Sequence, residues 1–405
     1  MHIAEFLFAL IAIFVAAKIF GEIAERLRQP AVLGEIVGGI VIGVSGLRLV
    51  DPHDPTIHLL AELGVILLLF LIGLETDLRR LVSVGGPATV VAFVGVALPF
   101  AGGFALASAL GYPTMVAVFL GAALTATSVG ITARVLSDLG HLRDQESQII
   151  LGAAVVDDII GIILLTMLGT LSRGGELSVA GVSWIVLMAF GFVVLAIVIG
   201  NYLAPLLVRG IERMKTARAL LFGAIVFAFL LAWLAHTVGS AVIIGSFAAG
   251  LVLARTNKAR EIEHQVHDLA HFFIPIFFVI VGAAIDLRML NPFRPDTRQF
   301  LIIGLALTAV GVVGKIVAGF AAWGPRIRRL VVGVGMVPRG EVGLIFAQIG
   351  LSTGLLSGGL YSAVAVMVML TTLITLPLLR ALLVQRTPDV VRGEPDYVME
   401  APSDK

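Results

Sequence analysis

Two adjacent aspartates, Asp157 and Asp158, lie in the middle of a long apolar stretch with the sequence Ala-Val-Val-Asp-Asp-Ile-Ile-Gly over residues 154–161. A charge inside a membrane costs about 2.5–3.5 kcal/mol on insertion scales, so such residues indicate function. Neighbouring helix positions point about 100° apart, so one carboxylate can face an aqueous cavity while the other contacts a partner. Two adjacent anions repel, which favours a proton on one of them, and carboxylate oxygens also bind small hard cations. The pair therefore predicts a site that holds a proton at one moment and a cation at another.

A lysine, Lys315, lies at a similar depth in a second apolar stretch, Val-Val-Gly-Lys-Ile-Val over residues 312–317. It is too far from either end of the stretch to extend its ammonium group to the membrane surface. It therefore needs an anion, and Asp157 or Asp158 is the available partner. Two interpretations stay open. The ion pair is purely structural, or cation entry breaks it and the lysine then releases a proton.

Two further segments have the composition of interrupted helices. Residues 123–130 are rich in small and hydroxyl residues, including Thr127 and Ser128, and residues 336–343 have the sequence Met-Val-Pro-Arg-Gly-Glu-Val-Gly. Proline and glycine break a membrane helix only where the freed backbone is buried in protein or lines a cavity. Thr127 and Ser128 can supply oxygens to an ion, although hydroxyl residues also pack between membrane helices.

The second interrupted segment carries two charged residues, Arg339 and Glu341. Broken half-helices expose positive and negative dipole ends. Glu341 can offset a positive end and Lys315 a negative end. Alternatively, Arg339 and Glu341 pair with each other.

The composition predicts an all-α polytopic membrane protein. Hydrophobic residues make up 59% of the chain and charged residues only 14%, with a mean hydropathy of +1.04, whereas soluble proteins are about 25% charged. The chain has no cysteine, which excludes a disulfide framework, a thiolate metal site and a cysteine nucleophile. The N-terminus has no basic region of a signal peptide, so the first apolar run is predicted to be an uncleaved span.

Hydropathy predicts about thirteen transmembrane helices within a single transporter unit over residues 1–385, followed by a short cytoplasmic tail over residues 386–405. The predicted spans are 3–25, 30–48, 57–76, 86–110, 113–138, 147–171, 182–208, 217–238, 240–255, 269–287, 300–323, 327–351 and 359–384.

The distribution of lysine and arginine predicts the orientation. With the N-terminus outside and the C-terminus cytoplasmic, most basic residues that lie outside the spans fall on the inner side, as the positive-inside rule requires. Only five remain on the outer side: Arg48, Arg173, Arg288, Arg294 and Arg298.

An internal repeat connects the two halves of the chain. Residues 34–42 align with residues 245–253, and residues 71–79 align with residues 280–288, where both copies end in Asp-Leu-Arg. Each pair of segments lies seven spans apart, so the copies are inverted through the membrane. The predicted architecture is repeat 1 over about 3–171, a linker helix over about 182–208 and repeat 2 over about 217–384. The interrupted segments occupy equivalent places in the two repeats, which predicts two broken crossing helices and a midplane binding site.

These features together resemble bacterial sodium/proton antiporters of the cation:proton antiporter-2 branch. The resemblance rests on the Asp157–Asp158 pair, Lys315, the interrupted segments, and residues 29–35 and 338–341. It covers about residues 3–384. It implies a homodimer in the inner (plasma) membrane, in which a six-span core moves against a dimerisation domain. It also implies that Asp158 is the main carboxylate for Na⁺ and H⁺, that Asp157 is the partner of Lys315, and that two protons exchange for one sodium.

The expected function is therefore electrogenic exchange of Na⁺ or Li⁺ for H⁺, with no enzymatic activity, no cofactor besides the transported ions and no nucleic-acid partner. An electroneutral K⁺/H⁺ or Na⁺/H⁺ exchanger is the main alternative, and the sequence does not distinguish Na⁺, Li⁺ and K⁺. A cation channel fits less well, because an inverted repeat around one buried site favours alternating access. An intramembrane aspartyl protease needs its aspartates on separate helices.

Overall fold

A computed structural model describes residues 3–172, 179–214, 218–290 and 295–384. The helices, numbered in chain order, are α1 (Ile3–Arg26), α2 (Ala31–Ile42), α3 (Pro55–Glu75), α4 (Leu78–Ser83), α5 (Gly85–Ala109), α6 (Thr114–Ala123), α7 (Val129–Asp138), α8 (Gln145–Ser172), α9 (Val179–Glu212), α10 (Ala219–Thr237), α11 (Val242–Leu253), α12 (Ala259–Ala283), α13 (Pro295–Gly319), α14 (Arg329–Gly335), α15 (Glu341–Ser352) and α16 (Gly358–Val384).

Each of the thirteen predicted spans coincides with a helix or a pair of helices. Among the described residues, eight helices are individually long and apolar enough to cross a membrane, and α9 adds a ninth if its two arms, which meet at a 50° bend, form one span. Helices α2 and α11 have only 12 residues each, or about 18 Å. The remaining two spans are interrupted, so the total of thirteen crossings stays a prediction. The predicted tail over residues 386–405 lies outside the described part of the chain.

The internal repeat extends from sequence to packing. Helices α2 and α11 have the same length. A side chain at Gly34 would collide with the carbonyl oxygen of Phe20, and one at Gly245 would collide with the carbonyl oxygen of Leu231. Both glycines thus permit the same close approach of a short helix to the long helix before it.

The helices pack as two bundles. The scaffold bundle consists of α1, α2, α3, α10, α11 and α12, with α9 packed on α10 and α11. The crossing bundle consists of the interrupted pairs α6/α7 and α14/α15 together with α5, α8, α13 and α16. The bundles meet where α7 packs on α3 and where α8 packs on α9. Each bundle has its own buried aromatic residues, for example Phe278 in the scaffold bundle and Phe346 in the crossing bundle.

Short elements at the two ends of the bundles were not predicted. Asp77 caps α4 by accepting a hydrogen bond from the Arg79 amide at 2.8 Å. Asp286 caps a 3₁₀ turn over Leu287–Leu290 by accepting one from the Arg288 amide at 3.0 Å. These are the two Asp-Leu-Arg sequences of the repeat. We call the end of the molecule that carries Arg26, Arg79, Arg80, Arg143 and Arg328 the arginine-rich end.

Candidate functional site

Helix α8 carries both aspartates near its centre. Asp157 and Asp158 are buried, with 1% and 8% of their surfaces exposed. Because adjacent helix positions differ by about 100°, the two carboxylates point to different neighbours. Asp157 points toward α13, and Asp158 lines a cavity between the bundles.

The partner of Asp157 is Lys315 of α13. Lys315 Nζ lies 3.0 Å from Asp157 Oδ2, and both side chains are fully buried. A Cβ atom at Gly95 of α5 would lie 3.3 Å from the same Nζ, so glycine at this position leaves room for the ammonium group. The second oxygen, Asp157 Oδ1, has no hydrogen-bond donor among the described residues.

The two interrupted segments are hydrogen-bonded to each other at their breaks. The Ser128 amide donates to the Pro338 carbonyl at 2.8 Å. The Thr127 hydroxyl donates to the Met336 carbonyl at 3.2 Å. These bonds give partners to backbone groups at the breaks, where the helical pattern of hydrogen bonds is interrupted. Irregular backbone at membrane depth requires such partners within the protein.

Arg339 stabilises the place where the two interrupted segments cross. Its side chain is fully buried, and its Nη1 donates to the Ala126 carbonyl at 2.9 Å. The Thr372 hydroxyl of α16 in turn donates to the Arg339 carbonyl at 2.9 Å. Arg339 lies close enough to Asp157 to interact with it electrostatically. The guanidinium group therefore supplies a permanent positive charge beside the negative C-terminal end of α6.

The cavity beside Asp158 is small, at about 10 Å³, which is room for about one water-sized species. Its lining combines the Asp158 carboxylate with the break before α7 and with apolar side chains of the scaffold bundle. The lining residues are Val65, Ala126, Thr127, Ser128, Val129, Gly130, Asp158, Ile243, Phe277, Gly340 and Val342. The Ser128 side chain closely faces Gly340, where a Cβ atom would lie 2.9 Å from its hydroxyl.

The structure thus brings together six of the seven site residues that the sequence singled out. Asp157, Lys315 and Arg339 form a buried charge cluster, whereas Asp158, Thr127 and Ser128 line the cavity. Glu341 is the first residue of α15, but its side chain lies outside the described part of the structure. Its pairing with Arg339 therefore stays a prediction.

The structure buries or largely buries two charged residues that the sequence analysis did not single out as site residues. Glu35 lies inside α2, after the cap residue Pro30, and is buried. The Arg134 side chain is only 13% exposed and forms an ion pair with Asp138 at 3.0 Å. The four-residue spacing of Arg134 and Asp138 on one helix was the available signal for that pair.

The chain is similar to known proteins over nearly its whole length. Residues 9–385 match the transmembrane sodium/hydrogen exchanger family. The chain is 44% identical to the high-affinity Na⁺/H⁺ antiporter NhaS3 of Synechocystis, over 94% of this chain and 90% of that protein. It is 36% identical to the Na⁺/H⁺-K⁺ antiporter GerN of Bacillus cereus, over 93% of this chain and 96% of that protein.

A solved structure has the same fold. The sodium proton antiporter MjNhaP1 of Methanocaldococcus jannaschii superposes with a TM-score of 0.64, at 19% identity, over 92% of this chain and 96% of that one. At this identity the likeness supports the fold alone. The match to the family over nearly the whole chain is independent of it, so the chain belongs to the transmembrane sodium/hydrogen exchanger family.

Proposed function

We propose that this protein is a secondary antiporter in which Asp158 binds either Na⁺ or H⁺, and in which the two bundles move relative to each other between the bound states. The observation that carries the proposal is the position of Asp158 in the wall of a small cavity between the bundles. Asp157 is held by Lys315, whereas Asp158 lines a cavity of about one water's size. The cavity places the Asp158 carboxylate where a transported ion can bind.

The chemistry follows from competition at one carboxylate. Oxygen ligands suit a small hard cation, and the Thr127 and Ser128 oxygens lie in the same lining as Asp158. A sodium ion and a proton cannot both neutralise a single carboxylate. Binding of one therefore releases the other, which couples the two fluxes.

The Lys315–Asp157 pair extends this coupling to a second proton. When sodium binds beside Asp158, its positive charge attracts the neighbouring Asp157 carboxylate. This attraction weakens the ion pair between Asp157 and Lys315. An unpaired ammonium group is costly at this depth, so Lys315 releases its proton. One proton from Asp158 and one from Lys315 would then leave for each sodium, and exchange would move net charge. Arg339 stays charged throughout and prevents Asp157 from becoming an isolated anion.

The bundles supply the movement. Because the interrupted helices are bonded to each other and to α16, we expect the crossing bundle to move as one body against the scaffold bundle. We place the arginine-rich end on the cytoplasmic side of the plasma membrane, and we expect the protein to act as a homodimer. Potassium is the second candidate ion, because the name of the relative GerN includes it.

The test is ion exchange in proteoliposomes at several clamped membrane potentials, with Na⁺, Li⁺ or K⁺ supplied in turn. The variant Asp158→Asn should abolish cation-dependent proton movement. The matched control is Asp268→Asn, which alters an exposed aspartate of α12 and should transport at the wild-type rate. Exchange that does not respond to the potential would refute the two-proton stoichiometry. Unchanged transport in Asp158→Asn would remove Asp158 from the mechanism.

A further inference from the structure

Three exposed arginines lie on neighbouring segments at the arginine-rich end of the crossing bundle. Arg79 lies on α4, Arg143 on the turn before α8, and Arg326 on the turn before α14, and all three are exposed. We call these three residues the arginine patch. No hydrogen bond or ion pair to another described residue holds any of their guanidinium groups. The patch therefore offers positive charge to an anion from outside the protein.

Hydrogen bonds hold together the segments that carry the patch. Arg80 Nη1 of α4 donates to the Arg143 carbonyl at 3.1 Å. The amide and the Nε of Arg328, on the turn before α14, both donate to Glu146 Oε1 of α8, at 3.0 and 2.9 Å. Helix α4 also packs on α5 and α8. The arginines thus lie on one surface of the crossing bundle, although they are far apart in the sequence.

The acidic residues of these segments have partners of their own. Glu146 and Asp144 bind Arg328. Asp77 accepts a hydrogen bond from the α4 backbone and lies 3.8 Å from Arg80. Because these carboxylates are engaged by other groups, the surface keeps an excess of positive charge.

Exposed apolar side chains accompany the patch. None of the six residues of α4 is buried, and Val82 is 70% exposed. Val82 lies three positions after Arg79, so the two side chains share one side of the helix. Trp323 is 49% exposed, and its ring edge would lie 3.3 Å from a Cβ atom at Gly86, at the start of α5. Exposed tryptophan, aliphatic side chains and arginine are typical of a surface at the headgroup level of a membrane.

We propose that the arginine patch binds the phosphate groups of anionic phospholipids in the leaflet at the arginine-rich end. The three guanidinium groups attract the headgroups, and Val82 and Trp323 contact the apolar part of the same lipids. The exposed apolar side chains favour a lipid over a soluble anion, because acyl chains cover them and a soluble anion does not. The inference does not depend on which ions the protein transports.

The test uses Trp323 as the reporter. The chain has three tryptophans, and Trp184→Phe with Trp233→Phe leaves Trp323 as the only one. The protein is placed in nanodiscs of equimolar phosphatidylglycerol and phosphatidylcholine. Bromine atoms, which quench nearby tryptophan fluorescence, are carried on the acyl chains of phosphatidylglycerol in one sample and of phosphatidylcholine in the other. Both samples have the same charge, so the two degrees of quenching give the relative affinity for the anionic lipid beside Trp323.

Phosphatidylglycerol should be favoured over phosphatidylcholine by at least about fivefold, which is the effect of one basic residue near an anionic membrane. The preference should fall to about one when the charges of the patch are removed together by Arg79→Gln, Arg143→Gln and Arg326→Gln. Lysine at the same three positions keeps the charges and should keep the preference, which separates loss of charge from damage to the fold.

The matched control removes three exposed arginines from the ends of α9 and α10. It lowers the net charge by the same amount and should leave the preference at Trp323 unchanged. Its substitutions are Arg209→Gln, Arg213→Gln and Arg218→Gln.

Equal quenching by the two lipids in the chain with an intact patch would overturn the proposal. A preference that survives the three glutamine substitutions, or that is lost equally in the control, would also overturn it. Inorganic phosphate at millimolar concentration should leave the preference intact. If inorganic phosphate removes it, the patch is a site for a soluble anion and the lipid assignment is wrong.

Discussion

The buried pair between Lys315 and Asp157 makes a quantitative prediction about stability. Lys315→Met removes the ammonium group, keeps a long apolar side chain and leaves an ionised carboxylate buried. At 3.0 Å, the gross attraction of two unit charges is about 5–6 kcal/mol at an effective dielectric constant of about 20. Removing one member of a buried pair costs about 3–5 kcal/mol. Because Arg339 still offsets part of the Asp157 charge, we expect a loss of about 3 kcal/mol.

The double variant shows whether the loss reflects the pair. Asp157→Asn alone leaves the ammonium of Lys315 unpaired and should cost about as much as Lys315→Met. With both substitutions, no uncompensated charge of the pair remains, and replacing a whole buried pair is often close to neutral. The double variant should therefore be more stable than either single variant, with an interaction energy of at least about 2 kcal/mol.

The assay is unfolding in detergent by denaturant, followed by tryptophan fluorescence. Lys18→Met, at an exposed lysine of α1, is the control and should change stability by less than about 0.5 kcal/mol. Single variants that unfold like this control would refute the buried pair. Losses that simply add in the double variant would show that the two residues act independently.

Two further predictions concern the crossing and the opposite end of the molecule. Gly340→Ala should impair transport and cost about 1–3 kcal/mol of stability by overpacking, because its Cβ atom would lie 2.9 Å from the Ser128 hydroxyl. Gly358→Ala, which has open space around it, is the control in the measurements of transport and of stability. Hydrogen bonds from Arg288 hold the pKa of Asp286 below its ordinary value. This pair therefore stabilises the fold fully above the ordinary aspartate pKa of about 3.9. The stabilisation is lost as the pH falls through the lower pKa of the folded state. Unfolding measured against pH should show this acid loss in the unaltered chain and a smaller one in Asp286→Asn; equal losses would contradict it.

The sequence by itself determined the class of protein, the positions of its apolar segments and the residues of its charged centre. These properties are local. A run of about 20 apolar residues satisfies its own backbone in a helix whatever surrounds it, and Pro338 between glycine-containing turns interrupts a helix for reasons contained in the segment. The repeat was also visible, because both copies must make the same close helix contact and therefore keep a glycine at the same place, as Gly34 and Gly245 do.

Contacts between distant segments required the tertiary structure. The residue pattern left Lys315 with two possible partners, and the family resemblance favoured Asp157. The packing of α8 against α13 places Asp157 beside Lys315 and leaves Asp158 in the cavity lining. The bond from Arg339 to the Ala126 carbonyl joins residues more than two hundred positions apart, and only the crossing of the two broken helices brings them together. Helix periodicity predicts which face of a helix a residue occupies. The angle and distance between two packed helices decide which residues that face contacts.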